Sequence, residues 1–150
     1  MKNFRFRLQT VLEQRERQEK AAQQSFAEAD MAYRRADALL DELREIRAAI
    51  LEELCARRDA AFDPAETRMY QEYLQTVTTN IRGQEAHVRD LVVAREAFKL
   101  NMIDAAQNRQ ALDKVKDKAK TAHAQQAERK MQLELDELVS SRFTHRRTQE

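Results

Sequence analysis

The side chains able to do chemistry in this chain are few and scattered. His87, His123 and His145 stand 36 and 22 residues apart, and Cys55 adds a single thiol, so no pair falls at the short spacing that metal sites use. Acid pairs such as Glu52-Glu53 and Asp136-Glu137 could do general acid/base work only where a concave pocket desolvated one partner, and their charge-rich surroundings offer none. Gly83 is the only glycine. One glycine can build neither a phosphate-cradling loop nor a dinucleotide fingerprint. The residues therefore predict no catalytic group, no cofactor and no metal, and the chain reads as a protein that is not an enzyme. A lone cysteine cannot close an internal disulfide, which fits a reducing cytoplasm.

What would position any functional side chain is helix. Ala, Glu, Lys, Leu and Arg supply 80 of 150 residues, and one Pro accompanies the one Gly, so sheet folds with many turns are excluded. Leu, Ile, Val and Phe total 31 residues while 35% of the chain is charged. That apolar supply fills a thin seam between helices rather than a thick core.

The seam is visible as alternating steps of four and three. From Leu8 they reach Leu12, Arg15, Glu19, Ala22, Phe26, Ala29, Tyr33, Ala36, Leu40, Leu43, Arg47, Ile50 and Leu54. A second series runs through Tyr70, Leu74, Val77, Ile81, Gln84, Val88, Leu91, Arg95, Phe98, Met102, Ala105, Arg109 and Leu112, extended by Val115, Ala119 and Ala122. A 3.5-residue repeat on a 3.6-residue helix drifts unless two helices wrap, so each series needs a partner. Between them, Asp63 is a good N-cap, Pro64 suits the first helical position, and the Glu66 carboxylate is placed to answer a free backbone N–H. Two long helices joined by so short a turn must run antiparallel. The expected fold is all-α, a single antiparallel two-helix coiled-coil hairpin over 1–150. Its first helix spans about 4–61, its turn about 62–63, its longer second helix about 64–140, and its fraying tail 141–150. Residue i should meet roughly 126 minus i, which leaves the helix past Ala127 bare. Gly83 is expected to be tolerated inside the second helix.

The net charge of +1 gives no general attraction to nucleic acid. Lys114, Lys116, Lys118 and Lys120 are interleaved with Asp113 and Asp117 and have no aromatic neighbour on which a base could stack, so nucleic acid is not an expected partner. No signal-peptide core and no run of 18 apolar residues occurs. A soluble, cytoplasmic protein is expected.

Three stretches resemble one family. Phe4-Arg5-Phe6-Arg7-Leu8-Gln9-Thr10-Val11-Leu12, followed by Arg15-Glu16-Arg17-Gln18-Glu19, looks like the amino-terminal signature of the FliJ family of bacterial flagellar type III export. Lys130, Leu135-Asp136-Glu137 and Ser141-Arg142-Phe143 are similar to that family's closing run. Tyr70-Gln71-Glu72-Tyr73-Leu74-Gln75-Thr76-Val77 resembles the stripe by which members touch the export-gate protein FlhA. There Tyr70, Tyr73 and Val77 match, with Leu74 in the same implied gate contact, whereas Asn80 and Gln84 depart from the small apolar and His residues of some relatives. Tyr70, Leu74 and Val77 are also seam positions, so the same stripe has two readings, partner-facing or folded inward.

The resemblance implies a cytoplasmic stalk recruited to the inner membrane at the flagellar base, monomeric when alone. It implies that the two chain ends enter the pore of the hexameric export ATPase FliI, promoting its assembly and activity. The ATPase-facing residues it points to are Phe4, Arg5, Phe6, Arg7, Gln9, Lys130, Asp136, Glu137, Arg142 and Phe143. Export chaperones are further implied partners. The equivalent stalk of a virulence-type secretion system has the same features, and a self-associating scaffold registered by Arg15, Glu19, Arg47, Gln84, Arg95 and Arg109 is the alternative of another class.

Overall fold

The computed structural model describes residues 3–58 and 63–147, with side chains as far as Arg142. Two helices account for nearly all of it, α1 over Gln9–Arg58 and α2 over Pro64–Arg147. Among the described residues there is no strand. The fold is the expected all-α helical hairpin, with α2 at 84 residues against 50 for α1.

The start of α2 is set by the predicted cap. Asp63 Oδ1 accepts from the Ala65 N–H at 3.0 Å, and the Asp63 carbonyl accepts from the Thr67 N–H at 3.1 Å. The first bond satisfies a donor that every helix start leaves open, and the second is the first internal bond of the helix. The Glu66 carboxylate is engaged by Arg57 of α1. Arg57 and Arg58 lie in the last turn of α1, where cations complement the carbonyl end of the helix. Phe62 of the expected turn lies outside the described residues.

Two helix limits differ from the sequence expectation. α1 begins at Gln9 rather than near residue 4, because Phe4-Arg5-Phe6-Arg7 alternates with period two. Phe4 and Phe6 are half-buried while Arg5 and Arg7 are exposed, a pattern a helix cannot present on one face. The Gln9 N–H closes the turn onto the Phe6 carbonyl at 3.2 Å. At the other end α2 runs to Arg147 instead of fraying from residue 141. No Gly or Pro interrupts residues 129–147, and the segment is rich in Leu, Glu, Lys and Arg, so nothing in it ends a helix.

Contacts gather into two units, Lys20–Asp104 and Met1–Glu19 with Ala105–Glu150. In the first, Leu40, Ile50, Val77 and Ile81 form a buried cluster against which Leu43, Leu54, Tyr70, Leu74 and Val88 pack. Arg44 meets Glu85, Asp30 meets Arg95 and Ala36 meets Gln84. These pairs straddle the predicted 126-minus-i register. In the second unit Leu12 is 1% exposed, Glu19 pairs with Arg109, and Phe4 lies against His123. Of the fourteen α1 seam positions, thirteen are buried or half-buried, Leu8 being the exception.

The α2 series holds to Leu112 except for the exposed Phe98. Its extension holds at Ala119, which is half-buried, and fails at the other two positions. Val115 and Ala122 are exposed, and Lys116 takes the half-buried position, because strict 4-3 stepping from Leu112 lands on residue 116. The Lys116 stem can cover the seam while its ammonium stays wet.

Candidate partner-binding surfaces

The six residues of the gate stripe do not share one face. Val77 is 3% exposed and Leu74 packs on the same cluster. Gln84 Nε2 donates to the Ala36 carbonyl at 2.8 Å across the seam, which turns a polar seam residue into a register pin. The Tyr70 ring lies under the Arg57 guanidinium at 4.8 Å, a cation–π contact that closes the turn end. Tyr73 and Asn80 point out, and Tyr73 is 50% exposed.

The flank on which they stand follows from register. Arg44 and Glu85, which pair across the hairpin at 3.2 Å, each come one residue after a seam position. Residues one before Leu40, Arg47, Leu74 and Ile81 must then line the opposite flank. These are Leu39, Ile46, Tyr73 and Asn80. Leu39 is 46% and Ile46 39% exposed. The surface that carries Tyr73 therefore includes two aliphatic residues of α1 that the motif comparison missed. Their signal was present, since each is a large apolar residue one step off the seam.

Among the polar seam residues, Glu19, Gln84, Arg95 and Arg109 are paired across the helices, whereas Arg15 donates to Gln18 of its own helix. Arg109 donates to both Glu19 and Asp113, and the Glu19 side chain is 13% exposed. The hydrogen bond to Glu19 is the main reason the Arg109 guanidinium is held above its ordinary range. Arg57 is raised in the same way by Glu53 first and Glu66 second. Arg95 lies over the Tyr33 ring at 4.4 Å and reaches Asp30. These contacts answer the half-buried Arg57, Arg95 and Arg109 within one chain.

The residues assigned to the ATPase lie in the unit containing both chain ends. Phe4, Arg5, Phe6, Arg7 and Leu8 line a groove of ≈ 490 Å³ with Ala119 of α2. The Phe4 ring sits 5.6 Å from His123 at a tilt of 58°. Gln9 Nε2 donates to Glu13. Lys130, Asp136, Glu137 and Arg142 are exposed, as is every described residue from Glu128 to Arg142; the Phe143 side chain lies outside the described ones.

Among the described residues no three His, Cys, Asp or Glu side chains gather to hold a metal ion, and His87 and Cys55 are exposed on separate helices. No helix of the described chain is long and apolar enough to cross a membrane. No curated protein and no solved structure matched the chain. A family model described as the flagellar FliJ protein matches residues 4–148.

Proposed function

Because the chain belongs to the FliJ family of flagellar export proteins, we propose that it is a non-catalytic, cytoplasmic stalk that joins the export ATPase to the export gate. As a family member it is a component of the flagellar export apparatus; the partners and the mode of action are our reading. The observation that carries it is the placement of the family's two terminal signatures in one unit, with an uncovered helix past Ala127. Side chains exposed from Glu128 to Arg142 are available to a ring that surrounds them.

In this reading Phe4, Arg5, Phe6, Arg7 and Gln9, with Lys130, Asp136, Glu137, Arg142 and Phe143, face the subunits of the hexameric ATPase. A two-helix element cannot match six-fold symmetry, so it contacts the subunits unequally and favours different states in each. The gate contact uses Tyr73 and Asn80, with Ile46 and Leu39 beside them. Tyr70, Leu74, Val77 and Gln84 support that flank from the seam. Export chaperones are carried on the same chain, which is recruited to the inner membrane through its partners.

The test is titration of the purified protein into the cognate ATPase while phosphate release and ring assembly are followed. Stimulation that Arg5→Glu/Arg7→Glu abolishes is the expected result. Unchanged rate and unchanged assembly across the titration contradict the reading.

A further inference from the structure

The two flanks of the seam differ in charge. Residues that precede a seam position share the flank of Tyr73, and over 39–49 on α1 and 73–87 on α2 Glu42 is the only charged one among them. The residues that follow the same seam positions include Asp41, Arg44, Arg82, Glu85 and Arg89, and Arg44 meets both acids, at 3.6 and 3.2 Å. Flank positions beside a two-helix seam are ordinarily charged, and a local loss of charge is what the centre of an interface shows. The neutral stretch has limits. Glu53 ends it toward the turn, taken by Arg57 at 3.0 Å, and Arg35 and Asp90 end it on the other side.

The stretch is a groove with two walls. Leu39 and Ile46 stand one heptad apart on α1, Tyr73, Asn80 and His87 stand one heptad apart on α2, and all five are exposed. Side chains that settle between such walls must recur with the helix's own period, so what fits along them is a third helix. An extended segment would need a sheet edge to bind, and there is no strand among the described residues. The seam of the incoming helix is apolar and uncharged, since a charge facing Leu39, Ile46 and Tyr73 would lose its water without gaining a partner.

Gly83 fits this occupant. It lies three residues after Asn80 and four before His87, and so on their face. Its backbone is ordinary helix without positive φ, and no atom of this chain comes within 4 Å of the place its Cβ would take. Neither conformation nor internal packing uses the missing side chain, while bare backbone admits another helix to closer approach than any other residue would. The groove is about 21 Å long at 1.5 Å per residue. That is too short for the roughly 800 Å² per partner that a stable pairing of copies buries, and it suits a transient partner. We propose that the partner of this flank seats one α-helix, apolar and uncharged along its seam, between 39–46 of α1 and 73–87 of α2, and that Gly83 is where it comes closest. The proposal rests on the reading of this flank as the gate contact and adds what the gate brings to it.

The test is capture of the gate protein's cytoplasmic domain by the full chain, with unfolding in urea followed for each variant. Leu39→Glu/Ile46→Glu and Gly83→Leu should each weaken capture about tenfold, as overpacking or a desolvated charge at a contact does. Gly83→Leu should unfold at no lower urea concentration than the unsubstituted chain. A photoreactive benzoylphenylalanine at Asn80 and, separately, at His87 should mark gate residues about seven apart, the same separation on a facing helix. Marks about three apart, as an extended segment would give, overturn the proposal. Capture lost through Tyr73→Ala but kept by Gly83→Leu or by Leu39→Glu/Ile46→Glu overturns the groove and leaves the gate contact standing. Capture that Tyr73→Ala leaves intact removes the gate reading and this proposal together. A dimer of the chain alone in sedimentation velocity that Gly83→Leu abolishes makes a second copy the occupant, and overturns it as well.

Discussion

At the scale of single residues, two tyrosines three positions apart have different fates because only one of them falls on the 4-3 series. Tyr70 is held under Arg57, while Tyr73 is 50% exposed. Ile81→Ala removes a side chain 2% exposed at the centre of the cluster and should lower unfolding free energy by about 2–4 kcal/mol in urea titration. Tyr73→Ala should change it by less than about 0.5 kcal/mol, while weakening capture by the gate protein's cytoplasmic domain. If Tyr73→Ala instead destabilises the chain as Ile81→Ala does, the ring is part of the seam and the gate flank is misplaced. Half of this was readable beforehand. A stripe drawn with seam spacing selects side chains that fold inward, so Val77, Leu74 and Gln84 could not also stand bare. Leu39 and Ile46 escaped notice because a motif read along one helix says nothing about which residues of the other helix share its flank.

At the scale of elements, the helices are held by periodicity and caps more than by any thick core. Gly83 has nothing within 4 Å of the position its Cβ would take, and its backbone is helical. Gly83→Ala should therefore raise stability by about 1 kcal/mol in thermal or urea unfolding, and no gain would mean that something crowds that face. Asp63→Ala removes the bond to the Ala65 N–H and should cost about 1 kcal/mol, with Asp63→Ser recovering most of the loss. The helix type, the cap and the antiparallel register were legible because each rests on a local rule repeated many times. The segment before Gln9 was not, since an alternation only four residues long is easily absorbed into a helix-rich context. The slip at Val115 has a related origin. Val115 stands beside the seam as a bulky apolar residue, while the stem of Lys116 takes the seam position itself.

At the scale of the whole molecule, one chain supplies both stripes, and Arg95 and Arg109 of the second helix find carboxylates and an aromatic ring on the first. In a flagellar export protein built in this way the seam is committed to internal pairing, and the recognition surfaces proposed above lie off it. The most direct test places spin labels at Arg44 and Glu85, the pair that meets across the seam at 3.2 Å, in a Cys55→Ser background. Pulsed dipolar spectroscopy is then recorded on labelled chain diluted into an excess of unlabelled chain. A short, narrow distance distribution that dilution leaves unchanged is the predicted result. A long distance, or a short one that fades as the unlabelled chain is added, would show that the stripes pair between chains and not within one.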